Sequence, residues 1–195
     1  DGSKSFCGNG ARCAVAFAET LGIDISEITF DAIDGPHWAS KTKDQIRIQM
    51  GDVLQIQANK NEFELNTGSP HYVKLSKDIS SDTILNFGKS IRFSSKYQEK
   101  GINVNLLKGI TPTSIEIATY ERGVENETLS CGTGVTAAAL VYAQLQNIPA
   151  GSVKVQTKGG QLQVQWQTQP DGSFAEVYLT GPAQFIFNGT YEPCR

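Results

Sequence analysis

Two short motifs place a cysteine directly before a glycine-rich turn and an apolar run. Cys7 opens a Cys-Gly-Asn-Gly motif, Cys131 opens a Cys-Gly-Thr-Gly motif, and an alanine-rich segment follows each. A helix N-terminus has unpaired N–H groups and about half a positive charge, which holds anions and lowers the pKa of a nearby thiol. Glycine lets a ligand approach such a backbone closely. The motifs therefore predict two reactive thiols, each at the start of a helix.

A single thiol of this kind would suit a cysteine hydrolase, but the duplication favours a reaction with two bases. Two thiols that face each other across a cleft can invert a carbon centre, because one removes a proton and the opposite one returns a proton to the other face. The four cysteines, at positions 7, 13, 131 and 194, include no C-x-x-C pair, so zinc-ribbon and thioredoxin-type sites are not indicated. Cys13 is expected to pack as a small apolar residue.

The elements that must position these cysteines are predicted to be two marked helices among many strands. Helical patterns cover 11–21 and 135–145, and a weaker one covers 82–90. Strand patterns cover 28–33, 38–42, 45–50, 101–107, 114–120, 153–157, 161–167 and 175–179. The expected fold class is α+β.

The elements after each cysteine follow one order, which is helix, strand, turn, strand, turn, strand and a closing glycine, Gly51 or Gly181. Two copies of one unit, forming two pseudo-symmetric domains, are the simplest explanation. The predicted domains are 1–51, completed by about 185–195 with a strand near 185–187, and 52–184. Residues 52–130 precede the second cysteine, whereas only residues 1–6 precede the first. We therefore expect an incomplete first domain whose helix keeps one apolar face uncovered.

Composition excludes several classes of function. The chain has 195 residues, 39% of them hydrophobic, which is enough for a packed core. A formal charge of −3 and a pI near 5.4 provide no basic surface for nucleic acid. No segment reaches the roughly 20 apolar residues of a membrane span, and the first four residues do not resemble a signal peptide. We expect a cytoplasmic protein with neither a nucleic-acid nor a membrane partner.

Several motifs, in order along nearly the whole chain, resemble the diaminopimelate epimerase family. They are Asp1-Gly2-Ser3, CGNGARC at 7–13, SPH at 69–71, NV at 103–104 and YERGVENETLSCGTG at 120–134. The resemblance implies two similar domains of strands wrapped around a central helix, with the active site between them. It also implies epimerisation of LL-diaminopimelate to meso-diaminopimelate in lysine and peptidoglycan-precursor synthesis, with no cofactor and no metal. The partner would be this small-molecule substrate, and a homodimer is compatible with the resemblance.

The resemblance also implies a role for each matching residue. The thiols of Cys7 and Cys131 would be the acid and base, with His71 and Glu121 assisting proton transfer. Backbone groups at Gly8-Asn9 and Gly132-Thr133 would hold the α-carboxylate of the substrate. The remaining substrate contacts would come from Ser69, Asn103, Glu121 and Arg122. Ser69 departs from the family, which usually has asparagine at this position.

Two alternatives remain open at this point. Proline racemases and phenazine-biosynthesis isomerases share the architecture, but the racemases have a different context around their cysteines and the isomerases lack the cysteine pair. The other alternative is an inactive fragment or pseudoenzyme of this fold. It rests on the absence of the glycine-rich opening segment typical of the family. It leads us to expect little or no turnover from this chain alone, and weaker protection from hydrogen exchange in 1–51 than in 52–184.

Overall fold

The structure is a computed structural model that describes residues 5–192, so the Asp1-Gly2-Ser3 motif and Cys194 lie outside the described residues. Within this range the helices are α1 (Gly8–Thr20), α2 (Ser81–Arg92) and α3 (Gly132–Leu145). The strands are β1 (Ile28–Ala32), β2 (Gly35–Thr42), β3 (Gln45–Gln49), β4 (Gln57–Asn59), β5 (Glu62–Asn66), β6 (Pro70–Leu75), β7 (Asn103–Thr111), β8 (Ser114–Glu121), β9 (Asn126–Thr128), β10 (Ala150–Thr157), β11 (Gly160–Thr168) and β12 (Phe174–Pro182). None of the helices in this range is long and apolar enough to span a membrane.

The strands of the described range form one mixed sheet. Their order is β1-β2-β3-β12-β11-β10-β8-β7-β6-β5-β4, with β9 paired to β8. Most neighbours are antiparallel, and the pairs β6–β7 and β10–β8 are parallel. The predicted α+β class is confirmed.

The repeated order predicted from the sequence is present in the structure. Each cysteine motif opens a helix that is followed by three antiparallel strands, α1 with β1–β3 and α3 with β10–β12. The strand that closes the second unit, β12, pairs with β3 of the first. The domain boundaries at 1–51 and 52–184 remain predictions.

The expected strand near 185–187 is wrong. Residues 183–192 have no regular secondary structure. The reason is that β12 extends to Pro182 and itself pairs with β3, whose other edge is occupied by β2. No edge of β3 is left for a later strand.

α3 is the central helix of the fold. Every residue from 132 to 143 is buried, because strands on all sides contact the helix. Ala137, Ala138 and Ala139 are fully buried, and their small side chains let the strands approach closely while favouring the helix itself. The sheet thereby holds the start of α3 in a fixed position.

α1 is buried on one face only. The buried residues of α1 are Gly8, Ala11, Arg12 and Val15. Phe17 and Leu21 are 62% and 64% exposed, so the expected uncovered apolar face is observed. Cys13 is exposed as well, so the expectation that it packs as a small apolar residue is wrong. The buried part is concentrated in the first two turns, next to the cysteine motif.

α2 packs on the outer side of β7 and β8 around a second, smaller apolar cluster. A Cβ added to Gly88 would lie 2.4 Å from Cβ of Tyr120, so the helix backbone rests directly on that side chain. α2 thus braces the two strands that carry Asn103 and Glu121.

Candidate active site

Cys7 and Cys131 are the N-cap residues of α1 and α3. Their backbone angles are nearly the same, with φ −117° and ψ 98° at Cys7 and φ −118° and ψ 110° at Cys131. The backbone N–H of Gly10 donates a hydrogen bond to the Cys7 sulfur at 3.3 Å. A Cβ at Gly10 or Gly134 would lie 3.4 Å from the sulfur of its own motif, so glycine keeps the space beside each thiol open. The predicted placement of both thiols at helix starts is confirmed.

The two helix starts touch each other through glycine. A Cβ on Gly132 would lie 3.0 Å from Cα of Gly8, which is closer than side chains ordinarily pack, so glycine at 132 lets the two backbones approach without displacing each other. Asn9 adds a hydrogen bond across the same contact, since its amide nitrogen donates to the carbonyl of Ser130 at 2.8 Å. Its amide oxygen accepts from the guanidinium of Arg12 at 2.9 Å. Both cysteines are therefore held at one place in the fold.

A small pocket lies at the contact between the two helix starts, and both cysteines line it. The predicted site residues that line it are Cys7, Gly8, Asn9, Ser69, Asn103, Glu121, Arg122, Cys131, Gly132 and Thr133. Ser5, Phe6 and Ser130 also line it and were not predicted, although their positions directly before the two cysteines could have indicated them. Of the predicted residues, only His71 is outside the lining.

The two thiols have different surroundings. Cys7 is exposed, whereas Cys131 is only 8% exposed. Burial above all, together with the neighbouring Glu121 and Cys7, raises the pKa of Cys131 to about 11, although hydrogen bonds from the Thr133 hydroxyl and the Gly134 backbone N–H oppose the change. The expectation that the helix start lowers the thiol pKa is therefore wrong for Cys131, because desolvation of the thiolate outweighs the helix terminus.

His71 is fully buried behind the pocket wall. Its Nε2 lies 2.9 Å from Oγ1 of Thr133, and that hydroxyl oxygen lies 3.5 Å from the sulfur of Cys131. Burial, together with the charge of Arg122, lowers the pKa of His71 to about 3. The ring is therefore neutral and connects to Cys131 through Thr133.

Asn103 connects two other residues of the pocket lining, Ser69 and Arg122, through hydrogen bonds. Its amide nitrogen donates to Oγ of Ser69 at 2.8 Å and to the carbonyl of Pro70 at 3.1 Å. Its amide oxygen accepts from the backbone N–H of Arg122 at 2.9 Å. Because the Ser69 hydroxyl accepts from Asn103, its own hydrogen remains free to donate into the pocket. The serine at this position thus keeps a hydrogen-bonding role.

The side chain of Arg122 packs against the backbone of residues 100–101. Its guanidinium donates to the carbonyl of Lys100 at 2.9 Å. A Cβ on the next residue, Gly101, would lie 2.4 Å from Cδ of Arg122, and Gly101 has φ 70°. Glycine at 101 therefore makes room for the arginine that lines the pocket.

Asn105 and Thr119 were missed by the sequence analysis. Both are buried; the Thr119 hydroxyl donates to the amide oxygen of Asn105, and the Asn105 amide nitrogen lies at hydrogen-bond distance from Nδ1 of His71. Asn105 lies two residues after Asn103 on β7, so the two amides project from the same face of the strand. The Asn-Val-Asn pattern was the available signal, since polar side chains on an inward face need partners.

In the described part of the chain, no group of three or more His, Cys, Asp or Glu side chains is placed to hold a metal ion. The polar groups at the pocket are two thiols, amides, hydroxyls, a guanidinium and a carboxylate.

Comparison with known proteins identifies the family. The model of the family described as "Diaminopimelate epimerase" matches residues 63–186. The diaminopimelate epimerase of Flavobacterium psychrophilum is 42% identical over 192 residues, which are 97% of this chain and 75% of that protein. The chain belongs to the diaminopimelate epimerase family. The Aquifex aeolicus member is 33% identical, with 97% of this chain and 71% of that protein covered. The predicted resemblance is confirmed, and membership makes the chain an isomerase.

Solved structures outside the diaminopimelate epimerase family have the same fold. A probable proline racemase from Agrobacterium radiobacter superposes with a TM-score of 0.67 at 13% identity, over 95% of this chain and 69% of that chain. A phenazine biosynthesis protein from Bacillus anthracis gives 0.69 at 11% identity, over 91% of this chain and 73% of that chain. At these identities the likeness concerns the fold alone.

Proposed function

We propose that this chain interconverts LL- and meso-diaminopimelate by a two-base reaction in which Cys7 and Cys131 are the acid and base. The supporting observation is that two N-cap cysteines line one pocket, with their helix starts in contact through Gly8 and Gly132. The family to which the chain belongs supplies the substrate. The reaction would serve lysine and peptidoglycan-precursor synthesis, and the thiols need no cofactor to carry it out.

The burial of Cys131 assigns the two thiols their starting roles. With a pKa raised to about 11, Cys131 is a thiol at neutral pH and is the acid. The base is then the exposed Cys7, which removes the proton from the α-carbon as a thiolate. As the C–H bond breaks, the S–H proton of Cys131 is delivered to the opposite face of that carbon. Cys7 ends as the thiol and Cys131 as the thiolate, ready for the reverse direction.

The carboxylate on the reacting carbon would lie at the starts of α1 and α3. Gly8-Asn9 and Gly132-Thr133 line the pocket at these starts, and their backbone N–H groups would be the ones that bind the carboxylate. Such groups attract a carboxylate and stabilise the negative charge that spreads onto it when the α-proton leaves. The charge stabilisation is strongest at the moment when the carbon carries no proton.

The remaining polar residues would bind the other end of the substrate and support the thiols. Diaminopimelate has a second amino-acid group, which Arg122 and Glu121 match in charge, with Ser69 and Asn103 beside them. Glu121 also raises the pKa of Cys131 and so helps to keep this thiol protonated. The neutral His71 would support Cys131 through Thr133.

Alkylation by iodoacetamide, mapped by mass spectrometry, tests the proposal. Diaminopimelate should protect Cys7 and Cys131, while the exposed Cys13 is an internal control because it lies outside the pocket lining. Proline should protect neither pocket thiol, which separates this function from a proline racemase. Where turnover is measured in deuterated water, the product should carry deuterium at the inverted carbon. Equal protection by proline, or no protection by diaminopimelate in a cooperatively folded protein, would contradict the proposal.

A further inference from the structure

We propose that Asn105 is a positioning residue that sets the ring tautomer of His71 and thereby directs the hydroxyl proton of Thr133 toward the sulfur of Cys131. The inference rests on the proposed role of Cys131 as an acid/base group. Asn105 itself does not line the pocket, and it acts through two intervening side chains.

The orientation of the Asn105 amide follows from a backbone group. Its nitrogen lies 3.1 Å from the carbonyl oxygen of Tyr72, which can only accept a hydrogen bond. Its oxygen accepts from the hydroxyl of Thr119 at 2.9 Å. Asn105 is fully buried, so water cannot replace either partner. The NH₂ end of the amide therefore faces Tyr72 and, on the same side, His71.

The amide orientation decides which nitrogen of His71 carries the proton. The amide nitrogen of Asn105 lies 3.1 Å from Nδ1 of His71, and because it donates, Nδ1 must accept. A neutral imidazole has one donor and one acceptor nitrogen, so the proton is on Nε2. Nε2 then donates to Oγ1 of Thr133 at 2.9 Å. The neutrality of the ring agrees with its complete burial.

The hydroxyl of Thr133 connects His71 to the sulfur of Cys131. Its oxygen accepts from His71, so its hydrogen is left for the sulfur of Cys131 at 3.5 Å. Thr67 donates to the backbone carbonyl of Thr133 at 2.8 Å and holds the residue in place. A donor aimed at sulfur favours the thiolate over the thiol, and a chain of aligned hydrogen bonds strengthens this effect. The chain therefore helps a deeply buried thiol to release its proton during turnover.

Other charged groups near Cys131 do not supply this donor. Glu121 and Cys7 oppose the thiolate, and Arg122 acts on His71 by keeping it neutral. A Cβ on Gly134 would lie 2.6 Å from the amide oxygen of Asn105, so the asparagine fits closely under the first turn of α3. The position is thus shaped for this side chain.

The direct test is the ring tautomer of His71, read from nitrogen-15 NMR of the unmodified protein. The chain contains two histidines, so a His37→Gln variant assigns the spectrum. We expect an unprotonated Nδ1 and a protonated Nε2 at His71. A protonated Nδ1 would overturn the proposal, whatever the protein catalyses.

The second test is the pH dependence of Cys131 alkylation by iodoacetamide. Asn105→Leu keeps the shape of the side chain and removes the donor, so alkylation of Cys131 at a fixed pH below its pKa should slow by about tenfold, the size of a lost hydrogen bond to a charged group. Thr119→Val is the matched control, because Tyr72 still orients the amide, and it should leave the Cys131 profile unchanged. Cys7, alkylated in the same sample, reports on general access to the pocket.

A folded Asn105→Leu protein that alkylates Cys131 as the unmodified protein does would also overturn the proposal. Thermal unfolding of each variant shows that the comparison is made on folded protein. Failure of the proposed function would instead appear as a lack of protection by diaminopimelate, which neither of these measurements involves.

Discussion

The contact between Gly8 and Gly132 predicts that adding one methyl group will separate the two thiols. In Gly132→Ala the new Cβ would lie 3.0 Å from Cα of Gly8 and 3.1 Å from Cδ2 of Leu179. Carbon atoms without a bond between them pack at about 3.5–4.0 Å. The leucine can rotate, but the Gly8 backbone cannot, because α1 begins there. The start of α1 must therefore move away from α3 by a few tenths of an ångström.

The expected magnitudes follow from that displacement. Overpacking of this kind costs about 1–3 kcal/mol of folding stability. A misplacement of about 1 Å at a catalytic group costs roughly 10²-fold in rate, so a shift of about a third to a half of that distance costs roughly fivefold to tenfold. Since Cys7 is carried by α1 and Cys131 by α3, we expect turnover to fall by about that factor while most of the folded population remains.

The assay compares two variants. Gly132→Ala is measured for conversion of LL- to meso-diaminopimelate and for unfolding in urea. Gly51→Ala is the control, because no atom lies within 4 Å of a Cβ added there and its φ is outside the left-handed region. Full turnover by Gly132→Ala, with a stability loss no larger than that of Gly51→Ala, would refute the idea that the glycine contact sets the distance between the thiols.

Four further predictions follow. Cys7→Ser or Cys131→Ser should lower epimerisation by about 10²–10⁴-fold, and near-full turnover to the inverted product by either variant in deuterated water would contradict the two-base reaction. An oxidant should link Cys7 to Cys131 and stop turnover until reductant is added, whereas free thiols in the oxidised, inactive protein, seen by mass spectrometry, would disprove the facing geometry. The pKa of His71 is lowered from 6.5 to about 3, so between these pH values the unfolded chain takes up a proton that the folded chain excludes. The free energy of unfolding should therefore fall by up to about 5 kcal/mol as the pH drops from 6.5 to about 3. Urea unfolding at several pH values should show a shallower acid decline in His71→Gln, and an unchanged slope would count against the buried neutral ring. Gly101→Ala should displace Arg122 and raise KM by at least about tenfold with a smaller change in kcat, and an unaltered KM would show that this arginine does not bind substrate.

Much of the fold could be predicted from local patterns. Both cysteine motifs predicted the helices that follow them, and the longer strands have apolar residues at alternate positions. β4, β5, β6 and β9 were missed because they are short or carry few apolar residues. In β5, for example, only Phe63 and Leu65 are buried, and the strand takes its place from the pairing with β6. Such strands depend on neighbours that a local pattern does not contain.

The parts of the candidate site that lie in sequence motifs could be predicted, whereas the properties that arise from packing between distant elements could not. The pocket lining could be anticipated because the cysteine motifs and the Glu121-Arg122 pair are themselves sequence features. The high pKa of Cys131 could not be anticipated, because it arises mainly from burial of the thiol in the folded chain. The role of Asn105 depends on the ring of His71 and the backbone carbonyl of Tyr72, which lie on β6 and are more than 30 positions away in the chain.

The hydrogen bonds that hold the cysteine motifs also determine when the pocket can form during folding. Asn9 reaches a residue 121 positions away, and Arg12 donates to the carbonyl of Pro182, 170 positions away. Ordering a chain segment of that length costs entropy before the contact compensates, so such contacts form late, after local hairpins such as β10–β11. A chain that has built its hairpins but has not docked α1 therefore has both thiols without the cleft that protects them. We therefore expect Cys131 to be more open to modification in that interval than in the folded protein, until the start of α1 docks against α3.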